Sequence, residues 1–171
     1  MDSFSKIVAI FLAVILLFIA PILYMAQKQD SISQLYVSTE TTKFIDSIKN
    51  SGYVSKNMYA DFIKKIDKTG NIYQIKITHS HERVEPLVDV TTNDILQDYS
   101  VYFYNTYEDE IFDAFDQDKD YRFDRGDYIS IQVSNLNKTT AVSLLENILS
   151  KDLEDTQIVV SYGGMIRDEI N

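Results

Sequence analysis

The feature that most constrains this chain is an uninterrupted apolar segment near its N-terminus. Residues Ile7 to Ala26 contain no charged side chain and no amide, and their one proline is Pro21. A helix needs about 20 mostly apolar residues to cross a bilayer, because every backbone N–H and C=O must find its partner within the segment. A helix in a soluble core would alternate apolar with polar positions instead. The segment therefore predicts a membrane-spanning helix over residues 7–26.

A cleaved secretory signal is the main alternative for this segment. Such a signal has a basic start, an apolar run of about 7–15 residues and small residues at its cleavage site. Here one lysine, Lys6, precedes a longer run, and no Ala-x-Ala sequence follows it. We therefore expect residues 1–29 to form a retained anchor. Because signal-anchors usually export their longer side, we expect residues 30–171 to form an extracytoplasmic domain.

Composition restricts what that domain binds. Its size is that of one domain, and a chain with 45% hydrophobic residues can bury a core. The net charge of −10 argues against nucleic acid and anionic lipid headgroups as its partners. The chain has no cysteine, which excludes a disulfide framework and a cysteine nucleophile.

Helical periodicity continues beyond the anchor. Four residues fall at spacings of four, three and four and form one stripe: Val37, Thr41, Phe44 and Ile48. We therefore expect the first helix of the domain, about residues 30–51, to continue the anchor and to end at Gly52. We expect its stripe to pack partly on the domain and partly on partner subunits.

The remaining patterns predict an α+β fold. The expected elements are a helix over Lys56–Lys68, a strand over Asn71–Thr78, a long connection over Ser80–Gln97, a strand over Asp98–Tyr104, a helix capped by Thr106 and ending near Phe115, a strand over Tyr128–Val133, a helix from Thr139 to Leu149, and a strand over Thr156–Tyr162 closed by two glycines. A small, mostly antiparallel sheet with the helices packed on one face would bury their apolar sides.

An acidic segment offers the first candidate site. Glu108 to Asp127 holds nine carboxylates and three basic residues. Six of its residues fall at positions 1, 3, 5, 7, 9 and 12 of a calcium-binding loop: Asp116, Asp118, Asp120, Arg122, Asp124 and Asp127. Position 6, where such loops have glycine, is Tyr121, and position 12 is an aspartate instead of a glutamate. The segment therefore indicates either a calcium site or a polar turn that leads into the strand at Tyr128.

His79 and His81 form the second candidate site. Strand alternation places both imidazole rings on one side, and either Glu82 or Glu85 lies near enough in sequence to complete a metal site. The two histidines also continue the alternation of the preceding strand, which is typical of residues at the rim of a sheet. A third metal ligand does not follow from this spacing.

Signatures of enzymes are few. The sequence contains no glycine-rich phosphate loop, no Gly-x-Ser-x-Gly and no His-Glu-x-x-His. With two histidines and no cysteine, few side chains are available for a nucleophile paired with a base. We therefore expect a protein that is not an enzyme and has no catalytic residues.

The anchor, its amphipathic extension and a small α+β head together resemble pilin-like proteins, in particular the single-anchor proteins associated with Tad-type pilus machinery of Gram-positive bacteria. The similarity is carried by Met1–Leu12, Pro21–Asp30, Met58–Gly70, Gly126–Val133 and Ile158–Glu169. It implies a minor pilin or pseudopilin at the bacterial cell surface, with the helix among sister helices or other subunits of a secretion apparatus. Because Met1–Lys6 lacks the glycine of a prepilin cleavage site, an uncleaved assembly component fits the same residues.

Two other functions remain open from the sequence. One is an anchored binding module whose acidic loop takes calcium before it binds a surface ligand. The other is an anchored zinc hydrolase that uses the two histidines with Glu82 and Glu85.

Overall fold

The structure is a computed structural model that describes residues 3–88, 95–150 and 158–167. A long N-terminal helix is followed by antiparallel sheets and shorter helices, which confirms the α+β class. The elements are α1 (Ser3–Ser51), β1 (Tyr53–Val54), α2 (Lys56–Ile66), a 3-10 turn (Asp67–Thr69), β2 (Tyr73–Val88), β3 (Ile95–Tyr107), α3 (Glu108–Asp116), β4 (Tyr121–Arg122), β5 (Tyr128–Asn135), α4 (Thr140–Leu149) and β6 (Val159–Met165).

Helix α1 is continuous over 49 residues, and at a rise of about 1.5 Å per residue it is about 74 Å long. Its most apolar part has no buried residue and is long enough to cross a membrane, as a membrane anchor or a signal segment would be. The helix ends where the sequence indicates. The N–H of Gly52 donates to the carbonyl of Ile48 at 2.8 Å, and Gly52 adopts a φ of 71°, a left-handed conformation that glycine accepts without strain.

The second half of α1 is a core element of the head, by which we mean the described residues from about 27 onward. Val37, Thr41 and Ile48 are fully buried, and Phe44 stacks on Phe62 of α2 with ring centroids 4.5 Å apart. The head therefore packs against this stripe. Contact of the stripe with partner subunits stays a prediction.

The main sheet is antiparallel with the strand order β3-β2-β5-β6, and β1 pairs with β4 in a separate two-stranded ribbon. Strand β5 pairs with β2 only from Tyr73 to Ser80, whereas β3 pairs with β2 from Thr78 to Val88. Beyond Ser80 the two strands β2 and β3 therefore continue as a two-stranded arm.

Several element boundaries differ from the sequence predictions, among them the following three. The expected connection over Ser80–Gln97 is wrong, because its residues 80–88 and 95–97 belong to the paired strands of the arm, while residues 89–94 lie outside the described part of the chain. Over residues 82–86 burial does not alternate, since Val84 and Glu85 are both exposed. Thr106 lies in β3, and α3 begins after Tyr107. Strand β6 includes Gly163 and Gly164 instead of ending before them, and the predicted start at Thr156 lies outside the described residues.

The two glycines of β6 differ in what surrounds them, which gives a matched pair of variants. A Cβ atom on Gly163 would lie 2.6 Å from the backbone oxygen of Ile129 in β5, whereas one on Gly164 would meet the flexible end of the Lys49 side chain at 2.8 Å. We expect Gly163→Ala to lower the free energy of unfolding by about 1–3 kcal/mol. Gly164→Ala should cost less than about 1 kcal/mol. Denaturant unfolding of both variants in detergent tests the difference, and equal losses would contradict the close approach of β6 to β5.

A buried carboxylate joins α1 to α2 and makes the stability of the head depend on pH. Glu40 accepts from Lys43 at 2.7 Å and lies 3.4 Å from Lys65 of α2. The hydrogen bond from Lys43, together with that from Lys65, lowers the pKa of Glu40. The folded state therefore gains stability above the unfolded pKa, about 4.3, and loses it as the pH falls through the lowered value. We expect Glu40→Gln to destabilise the head by about 0.5–1 kcal/mol at pH 7 and by almost nothing near pH 3. A difference from the parent that is independent of pH would contradict this.

Candidate functional site

The two histidines of β2 converge on one carboxylate from the turn before β5. Nε2 of His79 lies 2.7 Å from Oδ2 of Asp127, and Nδ1 of His81 lies 2.6 Å from Oδ1. Residues two apart on a strand face the same side, and the register pairs Ser80 with Tyr128, so Asp127 lies beside both rings. These three side chains are the His–Asp cluster.

The turn from Asp124 to Asp127 holds the aspartate in place. Gly126 takes a φ of 100°, and the N–H of Asp127 donates to the carbonyl of Asp124 at 3.1 Å. The N–H of Asp124 donates back to Oδ2 at 2.8 Å. The side chain of Asp127 is only 3% exposed, so the carboxylate exchanges its hydration for two rings and one amide.

Two aromatic residues complete the surroundings of His79. The hydroxyl of Tyr121 lies 2.9 Å from Nδ1, the nitrogen that does not face Asp127, and the ring of Phe123 packs edge-on at 4.8 Å between centroids. Burial raises the pKa of the Tyr121 hydroxyl, so it stays protonated at neutral pH and can donate to or accept from Nδ1.

The cluster is closed on one side and open on the other. His79 is buried, with 9% of its side chain exposed, whereas 39% of the His81 side chain is exposed. Within the described part of the chain, this is one group of three potential metal ligands whose ligand atoms all lie within 4.8 Å of one another. The cluster therefore combines a buried carboxylate with a partly exposed imidazole ring whose position can shift.

The six residues of the predicted calcium loop are divided by the fold. Asp116 ends α3, Arg122 lies in β4, and Asp116, Asp118, Asp120, Arg122 and Asp124 are exposed. Calcium binding by the other carboxylates of the segment stays a prediction. Asp127, the twelfth residue of the proposed loop, contacts the histidines instead.

The carboxylate beside the two histidines is neither Glu82 nor Glu85, the residues that the sequence suggested as a third metal ligand. Glu85 accepts from the hydroxyl of Tyr102 on the arm, and Glu82 is exposed on the strand. Asp127, which is 46 residues from His81, takes the place that sequence proximity had suggested for a glutamate. The sequence marked Asp127 as the twelfth residue of the calcium loop and placed it directly before a predicted strand. Only the pairing of β5 with β2 brings it close to the histidines.

No protein-family model, curated protein or solved structure matches this chain. The function is therefore inferred from the chain's own residues.

Removal of the carboxylate tests the role of the cluster in stability. Asp127→Ala removes the partner of His79, of His81 and of the Asp124 N–H, and it leaves the buried Nε2 of His79 without its partner. We expect the free energy of unfolding to fall by about 1–3 kcal/mol. Asp120→Ala, an exposed carboxylate of the same segment, is the control and should change stability by less than about 0.5 kcal/mol. Equal effects in chemical denaturation would show that the cluster does not organise this end of the sheet.

Proposed function

We propose that this chain is a membrane-anchored assembly or structural subunit of pilin-like type that acts by helix–helix association and has no enzymatic activity. The apolar half of α1 lies in the membrane over residues 7–26, and the head lies outside the cytoplasm at the cell surface. Its partners are other pilin-like or secretion-apparatus subunits, or further copies of the same chain.

The continuity of α1 carries this proposal. One helix provides both the exposed apolar half and the buried core element of the head, with no break between them. A separate anchor on a flexible linker would leave the head free to rotate, whereas a single helix fixes the orientation of the head relative to its neighbours. That property suits a subunit that is stacked or packed beside others.

Exposed apolar side chains outside the membrane segment support a role in protein contacts. Ile32 and Leu35 lie on the face of α1 opposite its buried stripe and are 52% and 69% exposed. On the arm, Val84, Val101 and Phe103 are also exposed. Groups of exposed apolar residues are typical of protein–protein contact surfaces.

Because the chain has no cysteine, a single introduced cysteine reports contacts without background. The outer face of α1, defined by Ile32 and Leu35, continues at helical spacing through Leu17. We expect Leu17→Cys to form disulfide-linked species in oxidised membranes, either with a second copy or with a partner that carries a matching cysteine. Ile19→Cys, at nearly the same depth but on the side of the buried stripe, is the matched control and should be linked far less.

The outcome separates association from simple anchoring. If neither cysteine is linked to any protein while the chain stays in carbonate-washed membranes, the segment is an anchor without helix–helix association. If the chain is recovered free in the medium and starts beyond Ala26, the segment is a cleaved signal. Either result contradicts the proposal.

A further inference from the structure

The His–Asp cluster has the donors and the surroundings of a metal site. We propose that His79, His81 and Asp127 bind one divalent transition-metal ion of the zinc class, through Nε2 of His79, Nδ1 of His81 and a carboxylate oxygen of Asp127. This site is independent of the proposed assembly function, and it differs from the calcium loop in its ligands and in its preferred ion.

The donor types favour zinc over calcium. Two imidazole nitrogens with one carboxylate suit zinc and related ions, whereas calcium takes six to eight oxygen ligands. Of the described residues around the cluster, Asp127 is the one carboxylate within hydrogen-bond distance of the two rings. A calcium ion would therefore lack oxygen ligands at this place.

The distances from the two ring nitrogens to the Asp127 oxygens are those of hydrogen bonds, whose protons a metal ion would replace. A carboxylate can only accept hydrogen bonds, so at 2.6–2.7 Å each ring nitrogen donates to Asp127. In a tetrahedral zinc site with bonds of about 2.0–2.1 Å, neighbouring ligand atoms lie about 3.3 Å apart. Each nitrogen–oxygen pair therefore has to open by about 0.6–0.7 Å, and the partly exposed ring of His81 can provide that movement for its own pair.

The outer contacts match those of metal-binding histidines. Such a histidine usually donates its second ring N–H to a neighbouring acceptor, which fixes the tautomer and the orientation of the ring. When Nε2 of His79 binds the ion, its proton moves to Nδ1, which faces the hydroxyl oxygen of Tyr121 at 2.9 Å. The N–H of Asp124 orients the carboxylate in the same way. Tyr121 is thus a positioning residue and not a ligand.

Three protein ligands leave one coordination position for solvent. The exposed side of His81 gives that position access to water, and the buried Asp127 closes the opposite side. The ion would also join β2 to the turn before β5, two parts of the chain that are far apart in sequence. Metal binding is therefore expected to stabilise the folded head, because the unfolded chain does not hold these ligands together.

Zinc titration of the full-length chain in detergent, without a histidine tag, tests the site. We expect one equivalent of Zn²⁺ to bind with a dissociation constant in the micromolar range or tighter, measured by competition with a chromophoric chelator. The melting temperature should rise with Zn²⁺ and not with the same concentration of Ca²⁺. Co²⁺ should give the visible absorption of a tetrahedral ion with nitrogen ligands.

Variants distinguish this site from its neighbours. His81→Ala, which removes a partly exposed ring and is expected to leave the head folded, should abolish stoichiometric binding. Tyr121→Phe should weaken binding by about 10-fold with the same stoichiometry, as expected for the loss of an outer partner. Glu82→Gln, the adjacent exposed carboxylate, should leave the affinity unchanged.

Three results would overturn the proposal. The first is no stoichiometric binding of Zn²⁺ by the folded parent. The second is binding that survives His81→Ala, and the third is binding that Glu82→Gln weakens as much as His81→Ala does.

Discussion

The structure depends on the packing of one face of α1 against the sheet. Ile45, Ile48 and Val37 of the helix are fully buried with the inward side chains of β5 and β6. Polar contacts also tie the end of the helix to β6 and to the residues after it. Asp46 accepts from the hydroxyl of Tyr162 in β6, and the carbonyl of Lys49 accepts from the N–H of Arg167. Burial of each of these aliphatic side chains contributes about 1.5–3 kcal/mol, so this face is a large favourable contribution to the folding of the head.

That packing has a consequence for the apolar half of the same helix. Because α1 is continuous, the orientation of the head relative to residues 7–26 is set by the rigidity of an α-helix and not by a linker. In the proposed assembly function, contacts between neighbouring helices would determine how neighbouring heads meet.

The His–Asp cluster lies where the sheet ends and the β2–β3 arm begins. Strand β5 pairs with β2 as far as Ser80, and β3 alone pairs with it beyond that residue. Asp127 thus occupies the point at which β2 loses one of its two neighbours, and its side chain accepts from His79 and His81 there. A metal ion at this place would fix the base of the arm.

The sequence by itself determined the elements whose signals are local. Apolar continuity specified α1 over residues 7–26, Gly52 specified its end, and Thr139 specified the start of α4. Its side chain accepts from the backbone N–H three residues later, and Ser55 caps α2 in the same way. Strand alternation also placed His79 and His81 on one side. Only the tertiary structure decided the rest. It covered Val37, Thr41, Phe44 and Ile48 with the chain's own head, it continued β2 and β3 into an arm that has no alternating burial, and it brought Asp127 to the histidines. These outcomes depend on strand register and on pairing between distant segments, and neither is encoded in the periodicity of any single segment.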